Sequence, residues 1–132
     1  MNQEDKELLL KDLSARLPYH VTVLEDLDKE FDGGCIGTLE TITYINGTPH
    51  VKLHGLLTPM NIEEVRPYLR PMSTITENEM TEFESVIGRK YNFKFNETEA
   101  FVYIDWLNAH HFDYRGLIEK GLALEASEGM YY

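Results

Sequence analysis

The sequence predicts an α+β fold, in which a small antiparallel sheet packs with three to four helices. Three features lead to this prediction. Several segments start with helix-capping residues, one segment contains the Asn-Gly pair of a tight hairpin, and helical and strand patterns alternate without a regular βαβ rhythm. The chain has 132 residues without a linker or an internal repeat, so a single domain over residues 1–132 is expected.

The first helix is expected over about residues 3–17, between the capping residue Asn2 and the terminating Pro18. Leucines recur along it at the spacing of one helix face: Leu9, Leu13 and Leu17. A strand is expected near residues 19–25, where valine alternates with polar side chains. The acidic stretch 26–34 ends in two glycines and is expected to be a loop.

The clearest local signal is Asn46-Gly47, because both positions of a two-residue hairpin turn require positive φ. This pair predicts a hairpin over about residues 36–56 and fixes its register. Two cross-strand pairs should then lie on the core face: Ile42 with Val51, and Tyr44 with Pro49. Glu40 would lie opposite Leu53, a poor match that predicts a bulge or a strand end there.

Two further helices begin with capping boxes. Residues 76–79 (Thr-Glu-Asn-Glu) start a helix that ends at Gly88, and its apolar residues are expected to face inward: Met80, Phe83, Val86 and Ile87. Residues 96–99 (Asn-Glu-Thr-Glu) start a helix that runs to about His111. This helix is apolar on most sides and is therefore expected to be the central buried helix.

Shorter elements complete the prediction. Residues 61–64 are expected to form only a helical turn, since Pro67 follows at once. Residues 91–95 alternate aromatic and polar side chains, which favours a short strand. A last short helix is expected over residues 114–120, with Asp113 as its cap.

The formal charge is −11, from 12 basic and 23 acidic residues spread along the chain. Direct nucleic-acid binding is not expected, because it needs clustered Lys and Arg. An acidic inhibitor that mimics nucleic acid is one alternative for the function. The N-terminus lacks the pattern of a secretory signal and no apolar run is long enough to span a bilayer, so a cytoplasmic protein without a membrane partner is expected.

The sequence contains no nucleotide-binding, metal-binding or hydrolase motif, and no cofactor is expected. Cys35, the only cysteine, follows Gly33 and Gly34 at an expected junction of loop and strand, where a thiol nucleophile would be exposed. A small cysteine-dependent hydrolase is therefore a second alternative. The sequence does not choose its base, since three histidines are eligible: His20, His50 and His54. A small buried cysteine is the favoured interpretation, and a non-enzymatic role is favoured over an enzymatic one.

The stretch from Trp106 to Ile118 interleaves aromatic residues with His and Arg, a composition that protein interfaces enrich. Two interpretations stay open: the aromatic residues close the core, or the stretch binds a protein partner. In the second case the partner-binding residues are expected to be the exposed members: His110, His111, Tyr114 and Arg115.

Residues 108–123 (Asn-Ala-His-His-Phe-Asp-Tyr-Arg-Gly-Leu-Ile-Glu-Lys-Gly-Leu-Ala) resemble the C-terminal signature of small uncharacterised proteins from phages, prophages and mobile elements of gut bacteria. Residues 9–23, with the core Leu-Ser-Ala-Arg-Leu-Pro-Tyr, and residues 68–73 are similar to the same group. The resemblance implies a bacterial cytoplasm and a mobile-element context, and it transfers no activity, cofactor or catalytic residue. It leads to the prediction of a non-enzymatic accessory or protein-interaction protein of a phage or mobile element.

Overall fold

The structure is a computed structural model that describes residues 1–25, 35–90, 94 and 96–131. Within these residues the chain forms three α-helices and six strands. In chain order they are α1 (Gln3–Arg16), β1 (Thr22–Glu25), β2 (Cys35–Ile45), β3 (Thr48–Leu53), β4 (Met60–Asn61), β5 (Val65–Leu69), α2 (Glu77–Ile87), α3 (Glu97–Ala109) and β6 (Leu124–Glu125). The α+β class is confirmed.

The sheet is larger than expected and mixed in direction. Its strand order is β4-β3-β2-β1-β5-β6, and the pairings are antiparallel except that of β5 with β6. The parallel pair aligns Tyr68 with Leu124 and Leu69 with Glu125. The prediction of a small antiparallel sheet is therefore correct for the pairings among β1 to β5 only. The C-terminal segment returns and adds β6 as a parallel edge strand.

The hairpin has the predicted register. Asn46 and Gly47 both have positive φ, Ile42 lies opposite Val51, and the pairing shifts between Leu39 and Thr41, which confirms the irregularity at Glu40. The placement of Tyr44 on the core face is wrong, because its ring is largely exposed. Tyr44 lies at the turn end of the sheet, where its neighbours in the first turns of α1 are polar and do not cover the ring. These neighbours are Gln3, Lys6 and Glu7.

The predicted N-terminal helix is confirmed as α1, in which the Asn2 side chain accepts a hydrogen bond from the Asp5 amide. The strand that follows is shorter than predicted, because Leu17–Tyr19 form a 3₁₀ turn and His20 has a left-handed backbone with φ 57°. The predicted loop over 26–34 lies outside the described residues, and so does the predicted strand over 91–95 apart from Lys94. Residues Ile62–Glu64 form the single turn predicted there.

Both capping boxes are confirmed, at Thr76 for α2 and at Asn96 for α3. The expected inward face of α2 is wrong at Val86, which is exposed, while Phe83 is buried. The expectation that α3 is a central buried helix is also wrong, since Phe101 is 72% exposed. One face of α3 packs against α2 and the other faces solvent, and a helix that is apolar all round does not reveal which face will be covered.

The predicted helix over residues 114–120 is wrong, because this segment forms turns. Gly116 has φ +73°, a left-handed conformation that interrupts a helix. Asp113 nevertheless accepts hydrogen bonds as predicted, from the amides of Leu117 at 2.8 Å and Ile118 at 3.0 Å. The capping signal was correct, and the turn that it stabilises is too short to become a helix.

Two groups of buried apolar side chains stabilise the fold. The larger lies between α1 and the sheet and includes Leu9, Leu13, Val23, Val51 and Leu69. The smaller lies between α2 and α3 and consists of Phe83, Trp106, Leu107 and Phe112. Trp106 is 7% exposed, as expected if the aromatic residues of the stretch from Trp106 to Ile118 close the core.

Candidate functional site

Residues 108–118, which we call the crossing segment, run past the end of β5. The Arg70 amide donates to the His111 carbonyl at 2.7 Å, and the Asp113 amide donates to the Arg70 carbonyl at 2.8 Å. These two bonds form an isolated parallel bridge between Arg70 and Phe112. The crossing segment is thereby held between two buried arginines, Arg16 of α1 and Arg70 at the end of β5.

Arg16 forms the first of two ionic networks. Its Nε donates to Asp12 Oδ2 at 2.8 Å, and its Nη2 donates to Asp12 Oδ1 at 3.1 Å and to the Phe112 carbonyl at 2.7 Å. Both side chains of this pair are 0% exposed. An ion pair at i, i+4 on a helix is usually solvated. Here the pair is buried, and the Phe112 carbonyl gives the Arg16 guanidinium a further hydrogen-bond acceptor that offsets part of its desolvation.

The crossing segment adds a second cation to this network. Arg115 Nη1 donates to Asp12 Oδ1 at 3.1 Å, so two guanidinium groups share one carboxylate oxygen. Both guanidinium groups lie near the Tyr114 ring, at 5.4 Å for Arg16 and 4.9 Å for Arg115. The Tyr114 hydroxyl donates to Asn108 Oδ1 at 3.0 Å, which fixes the ring.

Arg70 forms the second network. Its Nη1 and Nη2 donate to the two carboxylate oxygens of Glu79 at 2.7 and 2.8 Å, a bidentate pair. The guanidinium lies 4.1 Å from the centre of the Phe112 ring. The hydrogen bonds from Arg70 lower the pKa of Glu79 to about 2, with smaller contributions from Thr76. Glu79 thus caps α2 and binds the end of β5 with one charged group.

A surface pocket of about 360 Å³ opens beside this second network and is lined by His110, His111, Tyr131, Arg70 and Glu79, among others. The His110 ring lies between two carboxylates, with Nδ1 3.6 Å from Glu79 and Nε2 3.7 Å from Glu82. This pocket is lined by two of the four residues predicted to bind a partner, His110 and His111.

His111 is the more buried of the two histidines and stacks on Tyr131, with ring centres 3.8 Å apart. The Tyr131 hydroxyl donates to the Tyr68 carbonyl at 2.7 Å and accepts from the Thr22 amide at 2.9 Å, so the C-terminal tail is tied to the sheet. Burial, with smaller contributions from nearby charged groups, lowers the pKa of His111 from its usual 6.5 to about 4; these groups are Arg16, His110, Arg70 and His20.

Because the pKa of His111 is low in the folded protein, we expect the protein to lose stability in mild acid. The unfolded chain takes up a proton at this residue near pH 6.5, while the folded protein resists it until about pH 4. The stability that neutral His111 contributes is therefore fully present above pH 6.5 and is lost as the pH falls toward 4. Because the ring is partly solvated, we expect a loss of roughly 1–2 kcal/mol rather than the full value of the shift.

Urea unfolding of the wild type and of His111→Asn between pH 7.5 and 4.5 measures this effect. Asparagine tolerates the left-handed backbone of His111, whose φ is 64°, and does not titrate. As the pH falls, the free energy of unfolding of the wild type should decrease more than that of His111→Asn. His54→Asn, at an exposed histidine, is the matched control and should follow the wild type. Parallel curves for wild type and His111→Asn would contradict the assignment.

The structure brings the four predicted partner-binding residues together in the crossing segment, but each is partly buried: His110, His111, Tyr114 and Arg115. Each also has an intramolecular contact, as described above. Whether they bind a partner stays a prediction. Four residues of the ionic networks were not predicted from the sequence: Asp12, Arg16, Arg70 and Glu79. The i, i+4 spacing of Asp12 and Arg16 is the one local signal that points to them.

Cys35 lies at the start of β2, opposite Glu25 of β1, and is exposed. The favoured interpretation of a small buried cysteine is therefore wrong. Cys35 lines a pocket of about 290 Å³, and no histidine occurs among the described residues around it: Glu25, Leu56, Leu57, Thr58 and Met60. Desolvation raises the pKa of the Glu25 carboxyl, and the charge of Glu64 raises it further.

Within the described residues, no three His, Cys, Asp or Glu side chains are placed to hold a metal ion. In the same part of the chain, no helix combines the length and apolar character needed to cross a membrane. Comparison with protein families, with curated proteins and with solved structures finds no match for this chain.

Proposed function

We propose that this chain is a non-enzymatic protein-interaction protein, an accessory protein of a phage or mobile element in a bacterial cytoplasm. The observation that carries the proposal is the solvent face of α3. Phe101 is 72% exposed and Ile104 is 38% exposed, one turn apart on the same helix. Large apolar side chains grouped on a surface helix are typical of protein-binding sites.

Acidic residues border this apolar face. Glu97, Phe101 and Asp105 follow one another at i, i+4 and i+8 and are all exposed, so an aromatic ring lies between two carboxylates. The chain as a whole carries a charge of −11. The partner of this face is therefore a protein surface with an apolar pocket and Lys or Arg around its rim, and the charge would speed their encounter.

The polar side chains that surround the crossing segment also support a non-catalytic role. Asp12, Arg16, Arg70 and Glu79 form ion pairs that join α1, β5, α2 and the crossing segment. A side chain that is held in such an ion pair positions the backbone. A catalytic nucleophile or base must instead be free to reach a substrate.

Affinity capture from bacterial cells that carry the element tests the proposal. We expect Phe101→Ser to reduce the affinity for the captured protein at least tenfold, because an aromatic anchor at the centre of an interface typically contributes about 2 kcal/mol or more. Tyr44→Ser removes an aromatic ring that is 62% exposed from the hairpin and is the matched control. It should leave capture unchanged.

The salt dependence of capture provides a second measurement. Binding through α3 should weaken between 0.1 and about 0.5 M NaCl if carboxylates at its rim meet basic residues. Equal yields of the same protein with wild type and Phe101→Ser would contradict the proposal for α3. Equal loss with Phe101→Ser and Tyr44→Ser would show that the capture is nonspecific.

A further inference from the structure

The network around Asp12 contains more positive than negative charge. Arg16 and Arg115 both bind Asp12 Oδ1, each at 3.1 Å, and within the described residues neither guanidinium has another carboxylate within ion-pair distance. The side chains of Asp12 and Arg16 are 0% exposed, and that of Arg115 is 19% exposed. Two cations thus share one anion in a chain whose net charge is −11.

The hydrogen-bond donors of this network are also in excess. A guanidinium has five N–H donors. In the described residues, Arg16 Nη1 is buried without any acceptor, and Arg115 has one recorded hydrogen bond, from Nη1 to Asp12. The Nε and Nη2 edge of Arg115 is therefore left for an acceptor from outside the described residues. The unpartnered Nη1 of Arg16 costs free energy, and the positive charge that Asp12 leaves unbalanced in this network favours a second anion beside it.

Tyr114 keeps the two guanidinium groups in place. Its ring lies within 5.4 Å of both guanidinium carbons, and its hydroxyl is bound to Asn108. Asp12 binds Nη1 of Arg115, and the Arg115 side chain as a whole is 19% exposed, so solvent reaches part of it. A planar guanidinium edge fixed in this way matches the two oxygens of a carboxylate or phosphate group.

We propose that Arg115, supported by Arg16 and Tyr114, forms a binding site for an anionic group, a carboxylate or a phosphate. The anion accepts two hydrogen bonds from the Nε and Nη2 edge of Arg115, and the buried charge of Arg16 strengthens its binding from beneath. This site is separate from the face of α3 and does not depend on the function proposed above.

Thermal unfolding of the full chain in inorganic phosphate, acetate or chloride at constant ionic strength tests the proposal. With a dissociation constant near 1 mM, about 20 mM of the bound anion should raise the Tm of the wild type by roughly 5–7 °C over chloride. A shift with phosphate alone identifies a phosphate site, a shift with acetate alone identifies a carboxylate site, and a shift with both identifies a general oxyanion site.

Arg115→Gln should abolish the shift. Arg89→Gln is the matched control, because Arg89 pairs with a carboxylate of Glu99 elsewhere, and it should keep the shift. Arg115→Lys retains the charge beside Asp12 but loses the planar edge, so it should fold and show a reduced shift even if Arg115→Gln does not fold. The proposal is overturned by the absence of any shift in the wild type, or by equal shifts in the wild type and both Arg115 variants, which would reflect general salt stabilisation.

Discussion

Replacement of Asp12 by alanine is expected to lower the free energy of unfolding by about 3–5 kcal/mol. Asp12 is the one carboxylate that Arg16 and Arg115 share among the described residues, and Arg16 is 0% exposed. Asp12→Ala leaves a buried guanidinium without its counter-ion, and the desolvation of that charge is no longer offset. Because domains are typically stable by only about 5–15 kcal/mol, urea unfolding in chloride buffer should show a large fall in the midpoint.

Two further variants separate burial from pairing in the Asp12 experiment. Glu63→Ala removes the partner of Lys6 in a solvent-accessible pair and should lower the free energy of unfolding far less than Asp12→Ala does. The double variant Asp12→Leu with Arg16→Met replaces the buried pair with apolar groups and should recover much of the loss. A cost below about 1 kcal/mol for Asp12→Ala would show that the network is solvated and that its ion pairs contribute little.

The parts of the fold that the sequence predicted are those that neighbouring residues determine. The capping residues Asn2, Thr76 and Asn96 set the starts of the three helices, because each satisfies amides within its own first turn. Asn46-Gly47 set the hairpin register for the same reason, since its turn geometry leaves only one alignment of the adjoining strands.

The parts that the sequence could not predict depend on residues far apart in the chain. The pairing of Tyr68 with Leu124 and the bridge between Arg70 and Phe112 have no local signature. The position of α3 illustrates the same limit. Its apolar residues occupy more than one face, and the packing against α2 decides that Trp106 is buried and Phe101 is exposed.

The composition of the crossing segment correctly predicted that its polar and aromatic residues lie together, but it did not predict which residues elsewhere in the chain contact them. His110, His111, Tyr114 and Arg115 lie together as the sequence suggested. The groups that contact three of them come from distant parts of the chain: α1, α2 and the C-terminal tail. Burial of Asp12 and Arg16 could not be inferred from their i, i+4 spacing, since that spacing usually marks a solvated pair. The Phe112 carbonyl, 96 residues from Arg16 in the chain, makes the burial tolerable.

Replacement of Trp106 by alanine is expected to cost about 3–5 kcal/mol, as a truncation in the smaller core. The indole ring lies 5.4 Å from the Phe83 ring, 5.8 Å from the Phe112 ring and 4.4 Å from the His110 ring, measured between centres. Its removal leaves a cavity at the point where α2, α3 and the crossing segment meet. In the described structure Trp106 Nε1 has no hydrogen-bond acceptor, so the loss comes from packing alone.

Phe101→Ala on the same helix is the matched control for Trp106→Ala. Phe101 is 72% exposed, and its truncation removes an aromatic ring without opening a cavity, so the change should stay within about 0.5 kcal/mol. Thermal or urea unfolding of the two variants, side by side with the wild type, measures the difference. If Trp106→Ala unfolds like the wild type, the indole does not pack in a core, and the burial that separates the two faces of α3 is wrong. The two faces of α3 would then not differ in burial, and the proposed partner-binding face would be the one that carries Trp106.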